Sequence, residues 1–174
     1  MSVLIDCAEG VEALLAREEV EDICARVLAT EGVTRPVEVS LTWVDDDEMR
    51  SLNARWRGID RVTDVLSFEC DSPDAAGLPE DEALELGDIV LAPAQIARQA
   101  PGFGNTAADE CRLMLVHGLL HLLGYDHLTD DEAEVMEARE DELLRELAAA
   151  RGEDPAGISV GPTTRHARDE GRAS

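Results

Sequence analysis

The chain contains no lysine. All 15 of its basic residues are arginine, set against 39 aspartates and glutamates, which gives a formal net charge of −24. A surface this acidic repels phosphate backbones at long range, because nucleic-acid affinity rests on cationic contacts. Composition alone therefore argues against an RNA or DNA partner and favours a solvated acidic surface that keeps the protein soluble. An anionic substrate would need a local cluster of arginines. Aromatic residues are also scarce, at 3%, so the core must be built from Leu, Val, Ile and Ala. No stretch approaches the roughly 18 consecutive apolar residues of a membrane helix. The opening MSVLIDCAEG lacks the basic region and apolar run of a secretory signal, which points to a cytoplasmic protein. Cys7, Cys24, Cys70 and Cys111 are scattered with no C-x-x-C pair, so neither a zinc ribbon nor a redox motif is indicated. Free thiols, mostly buried, are the expectation in a reducing compartment.

What is present reads as one α+β domain. Val3-Leu4-Ile5 suits a short first strand. Apolar residues at helical spacing predict a helix from Val11 to Thr30, with Gly32 at its C-terminal stop. Val37, Val39, Leu41 and Trp43 alternate with Glu38, Ser40 and Thr42, the period of a strand with one buried face. Asp45 or Asp46 can cap a helix running to about Trp56. Residues 57–63 read as a loop, and Val65–Phe68 and Leu86–Leu91 as strands. Residues 71–83 form an acidic, Pro- and Gly-containing exposed loop. Pro93 can open a short helix to Gln99, and 101–105 is a turn. Thr106 with Asp109 resembles a capping box for a helix that ends at Leu123, before Gly124. Thr129 or Asp130 caps a last helix to about Ala150. Residues 151–174 have little apolar content and no period, and read as a disordered tail.

The chemistry concentrates in HGLLHLLGYDH. His117 and His121 are four apart, which on a helix places both imidazoles on one face, one turn apart. Gly124 stops the helix and lets the chain double back, so that His127 can reach the same point. Three imidazoles on one cation leave a fourth position open, as catalytic rather than structural zinc sites do. Imidazole suits Zn, Cu, Ni or Fe; zinc, one ion, is the expected cofactor. Metalloproteases with H-E-x-x-H-x-x-G-x-x-H use the same three ligands and the same glycine, with a glutamate after the first histidine as general base. Here that residue is Gly118, so the metal pattern is kept while the protease base is absent. His166 falls in the tail and reads as solvated. Arg55, Arg57 and Arg61 lie within seven residues of each other. A guanidinium can grip a phosphate through two parallel hydrogen bonds, and we expect these three, with Arg98 and Arg112, to form a basic groove near the metal. Asp126 is a candidate acceptor for a ligand histidine's second N–H, or a turn cap. Asp64 and Ser67 read as a turn cap and a strand surface position rather than as groove residues. Leu113, Met114 and Leu120 are core candidates.

LNARWRGIDRVTDVLSFE (52–69), LELGDIVLAP (84–93) and HGLLHLLGYDH together resemble the YbeY family of bacterial rRNA maturation endoribonucleases, over about residues 35–145. The resemblance implies a small mixed sheet of about four strands packed with several helices, a zincin-like active-site helix, and a metal-dependent endoribonuclease domain over 1–150. It implies single-strand-specific cleavage in 16S rRNA 3′-end maturation and ribosome quality control. It carries the family's metal ligands onto His117, His121 and His127, and its important arginine, in the N-x-x-aromatic-R block, onto Arg57 after Trp56. Arg57 and His117 are thereby the catalytic candidates. Implied partners are rRNA and the small ribosomal subunit, one of its proteins, and the GTPase Era. The family often has proline before Thr-Asp-Val-Leu-Ser-Phe, where this chain has Val62. Two other readings remain open: a zincin-like hydrolase of peptides or amides, and a non-catalytic ribosome-assembly factor whose metal only holds the fold.

Overall fold

The computed structural model describes residues 1–73 and 77–157. Four strands form one mixed sheet in the order β1-β2-β4-β3: β1 (Ser2–Cys7), β2 (Val37–Trp43), β3 (Val65–Glu69) and β4 (Leu84–Leu91). β2 keeps its alternation, with Val37, Val39, Leu41 and Trp43 buried and the residues between them half-exposed. It runs parallel to both β1 and β4. Parallel neighbours need long crossovers, and α1 (Arg17–Thr30) supplies the one between β1 and β2. β3 closes the far edge, antiparallel to β4. β4 is buried along most of its length, as a strand covered on both faces should be.

The cover on the main face is α4 (Ala107–Leu122), in which Cys111 and every residue from Leu113 to Leu120 are buried. A helix apolar on nearly all sides belongs in a core, and α4 lies between the sheet and the helices α1 and α5 (Asp130–Ala150). Leu113, Met114 and Leu120 are buried as expected. A smaller cluster of Val44, Met49, Leu66, Val90 and Ala92 seats α2 (Asp46–Arg57), and Val62 packs against it. The caps follow the sequence. Asp45 accepts from the Glu48 N–H at 2.8 Å, Thr106 from Asp109 at 3.1 Å, and Thr129 from Glu132 at 3.1 Å. Pro93 opens α3 (Pro93–Gln99).

Two expectations change. The first helix begins at Arg17 rather than Val11. Residues 8–16 are needed to leave β1, and the Val11 N–H turns back to the Ala8 carbonyl at 3.1 Å; Leu15 is tucked into the core from this turn, not from a helical stripe. Residues 151–157 have a defined course: Pro155–Gly157 form a 3₁₀ turn, and Arg145 donates to the Pro155 carbonyl at 3.1 Å. The rest of the expected tail, with His166, lies outside the described residues. Residues 77–83 of the acidic segment are exposed as expected, and Arg35 donates to the carbonyls of Pro79 at 2.8 Å and Glu82 at 3.2 Å.

All four cysteines are free, but only Cys24 and Cys111 are buried; Cys7 and Cys70 are exposed. Burial pushes the Cys24 thiol up to about 12 and raises that of Cys111 as well. Cys70 is raised more weakly, by partial burial and then by the carboxylates of Asp88, Glu85 and Asp71. Since the thiolate is the reactive form, iodoacetamide at pH 8 should label Cys7 first and Cys70 slowly. Cys24 and Cys111 should react only after denaturation. Peptide mapping of native and denatured samples checks the order, and rapid native labelling of Cys111 would contradict it.

Candidate metal centre

His117 and His121 project from the last two turns of α4 toward the end of the sheet marked by β3. The helix then stops on a left-handed glycine. Gly124 has φ 101°, a conformation open to glycine at little cost. Its N–H donates to the His121 carbonyl at 3.0 Å while the Tyr125 N–H reaches the Leu120 carbonyl at 3.0 Å, the paired bonds of a Schellman stop. The Tyr125 hydroxyl donates to Glu31 at 2.9 Å, and Arg139 of α5 bonds the same carboxylate. These contacts pin the returning loop, and Asp126 accepts the His127 backbone N–H at 2.8 Å. The loop delivers His127 opposite the two helical histidines.

The three rings form a triangle with centroids 4.6, 5.1 and 5.4 Å apart. One ligand atom from each lies within 4.8 Å of the others. His117 Nε2 and His121 Nε2 are 3.1 Å apart, inside the ~4.2 Å that two nitrogens each ~2.1 Å from one zinc can span. His117 is 3% exposed. Its Nδ1 lies 2.6 Å from Glu140 Oε1; as the N–H donor to that carboxylate, it leaves Nε2 with a free lone pair. Burial, and then the like charge of His117 and His127, push His121 down to about 3 in the metal-free protein, so its imidazole is neutral and able to ligate. His127 Nδ1 is buried without a hydrogen-bond partner. An orphaned ring nitrogen beside two further imidazoles fits a bound cation and fits a core histidine poorly. The donor set is three nitrogens with one side open, which suits zinc or a similar transition metal.

The histidines floor a groove of about 360 Å³ whose walls include Trp56, Arg57, Asp64, Ser67, Phe68, Asp126 and Leu128. Arg57 is the last residue of α2, where Gly58 adopts φ 74° to end the helix. Asn53, buried, donates to the Arg61 carbonyl at 2.9 Å and so holds the loop behind Arg57. Asp64 and Ser67, expected elsewhere, both line the groove. Asp64 is buried and accepts from the Val65 N–H at 2.7 Å and from Gln99 at 2.8 Å. Gln99 also donates to the buried Glu110 at 2.8 Å, and Asn105 to the same carboxylate at 2.9 Å. This polar chain braces α3 and α4 behind the groove. Of the five arginines expected to gather here, only Arg57 lines it. Arg98 pairs with Asp46 at 2.9 Å, and Arg112 with Glu19 at 2.6 Å and Asp109 at 2.7 Å. In so acidic a chain, local carboxylates capture arginines that the sequence leaves unassigned.

Gly118 lies under the groove. A Cβ there would sit 3.1 Å from Ser67 Oγ and 3.2 Å from Ile89 Cγ2. The position where metalloproteases carry their catalytic glutamate is therefore filled by β3 and β4. The residue that sequence reasoning missed is Glu140, 1% exposed; Asp126, the candidate for its role, is instead engaged with the His127 backbone. The signal was available, because Glu140 falls in the α5 stripe of Ala133, Met136, Leu143, Leu144 and Leu147 that faces the core. Replacing Glu140 with Gln keeps the shape and removes the charge, so metal affinity should fall by roughly 10–100-fold with the fold retained. Competition against a chromophoric chelator measures this; parent affinity in Glu140→Gln would show that the carboxylate does not tune His117.

Comparison with known proteins places this geometry. The model of the family described as Endoribonuclease YbeY matches residues 7–148. Endoribonuclease YbeY of Desulforamulus reducens is 42% identical over 134 residues, covering 76% of this chain and 86% of that protein. Its counterpart in Thermoanaerobacter sp. is 38% identical over 159 residues, 87% of this chain and all of the relative. A solution structure of TM1509 from Thermotoga maritima aligns with a TM-score of 0.60 at 28% identity, over 86% of this chain and 91% of that one.

Proposed function

This chain belongs to the YbeY endoribonuclease family, and from that premise we propose that it is a single-strand-specific, metal-dependent endoribonuclease of rRNA maturation. In this reading it holds one zinc ion on His117, His121 and His127 and acts at the 3′ end of 16S rRNA. The observation that carries the reading is the joining of three imidazoles to Arg57 in one open groove. When bound, the ion supplies Lewis acidity, neutralising charge on a phosphate oxygen and making a water a better nucleophile near pH 7. Arg57, at the groove wall, grips the phosphodiester and stabilises the negative charge that grows on its oxygens. Glu140 fixes the ring of His117, and the Asp64–Gln99–Glu110 chain braces α3 and α4 behind the groove. The small ribosomal subunit is the proposed partner, with one of its proteins and the GTPase Era as further candidates, and the cytoplasm the proposed setting. No helix among the described residues is long and apolar enough to cross a membrane.

One feature disfavours peptide hydrolysis: Gly118 supplies no base where metalloproteases carry their glutamate. Two of the three carboxylates that line the groove, Asp64 and Asp126, are engaged in hydrogen bonds to Gln99 and backbone N–H groups. The test is cleavage of a single-stranded RNA by zinc-loaded protein. A chelator should abolish it, and Arg57→Ala should lower kcat by about 100-fold, the usual cost of losing one donor to a developing anion. Parent-level cleavage by Arg57→Ala would remove Arg57 from the mechanism, and hydrolysis of a peptide library but not of RNA would overturn the reading.

A further inference from the structure

The chain has two tryptophans, one tyrosine and two phenylalanines, and two of these five rings meet at the edge of the metal groove. Trp56 and Phe68 both line it, with ring centroids 5.8 Å apart and planes at 66°. Phe68 props Trp56 edge-on, a favoured aromatic geometry. The Arg55 guanidinium lies 5.3 Å from the Trp56 ring centroid, within range of a cation–π contact. The indole is nevertheless 59% exposed. Leu128, on the loop just after His127, lines the same groove and is 73% exposed. A chain so poor in aromatics gains no core stability from an indole held in water. Its placement, one residue before Arg57 and in the same groove as the three histidines, is that of a ligand platform.

We infer that Trp56 is a stacking platform for one unpaired base of the RNA, adjoining the phosphate gripped by Arg57. This rests on the ribonuclease reading and adds the means by which the site selects single strands. Bases in a duplex are stacked on one another and offer no free face, whereas unpaired bases can be splayed onto an aromatic ring. Stacking is tolerant of sequence, because every base has a π-face. Arg57, next in sequence and in the same groove, is the cationic partner for the backbone beside that base, while Arg55 rests over the indole, a local attraction in a chain of net charge −24. Phe68 fixes the ring, so little rotamer freedom is lost when a base docks.

The reporter is built in. The other tryptophan, Trp43, is buried at 1% exposure, so a ligand-dependent change in quenching reports on Trp56. The full chain, with and without saturating zinc, is titrated with a short 2′-O-methyl single-stranded RNA, which resists turnover. Three controls are the same sequence as a duplex, the same strand with abasic sugars throughout, and the variants Trp56→Phe and Trp56→Ala. Quenching by the single strand is expected, with little from the duplex or the abasic strand. Trp56→Ala should bind the single strand about 10-fold more weakly, a typical loss for one stacked base, while Trp56→Phe should retain most of the affinity. Circular dichroism establishes that both variants fold. Equal quenching by the abasic strand or by the duplex would overturn the inference, as would unchanged affinity in Trp56→Ala. Base-dependent quenching without RNA cleavage would uphold the platform and reject the nuclease reading. Cleavage without such quenching would do the reverse.

Discussion

Gly87→Ala is expected to lose more than ~4 kcal/mol of stability, a change that few single substitutions reach and that consumes much of the 5–15 kcal/mol available to an ordinary domain. Gly87 has φ 145°, and a Cβ there would lie 2.1 Å from the Phe68 carbonyl oxygen and 2.8 Å from Leu122 Cδ2. The first is backbone and cannot step aside without breaking the β3–β4 ladder, in which Glu69 pairs with Gly87. The pairing with β2 shifts at the same place, from Glu38 opposite Glu85 to Val39 opposite Gly87. This glycine sits at the irregularity of its strand, with β3 and Leu122 of α4 packed against its α-carbon, as strand glycines often are. Displacing β3 would move Ser67 and Phe68, both in the groove wall. Denaturant unfolding followed by near-ultraviolet circular dichroism measures the loss. A midpoint within ~1 kcal/mol of the parent would show that the strands yield more easily than their geometry indicates.

His117→Ala should abolish metal binding and also weaken the fold, by roughly 2 kcal/mol, the cost of losing a buried hydrogen bond to a charged group. The reason is its two-sided role. One ring nitrogen faces His121 and the other is 2.6 Å from a carboxylate that is itself 1% exposed. Removing the imidazole takes a hydrogen-bond donor from Glu140 as well as a candidate ligand from the metal site. The double variant His117→Ala/Glu140→Gln should recover part of the stability and none of the metal binding. Calorimetry of the three metal-free proteins separates these effects. A single variant as stable as the parent would show that the pair contributes nothing to the fold.

How far the sequence carries depends on range. The α4 stop, the three histidines and the caps at Asp45, Thr106 and Thr129 are local, set by residues within a few positions of one another, and all are legible. The alternation of β2 is local too. The partner of His117 is not: Glu140 lies 23 residues on, among so many acids that its buried register is easily overlooked. Arg98 and Arg112 read as groove residues but bind carboxylates elsewhere, because arginine clustering in sequence says little about where a long side chain finds its partner. Asp64 and Ser67 look like turn and surface residues until β3 is placed against α4. The exposure of Trp56 is likewise a tertiary fact, since its apolar character alone suggests burial. The RNA reading rests on the three separated motif blocks, while the charge of the chain points away from it.

The most direct test is to measure bound zinc per chain alongside cleavage of a single-stranded RNA, for the parent and for His121→Ala. His121 is the better probe than His117, because it has no buried carboxylate resting on it. One ion per parent chain is expected, with chelator-sensitive cleavage, and both should be lost in a His121→Ala protein that still folds. Parent-level cleavage by a metal-free His121→Ala protein would contradict the account.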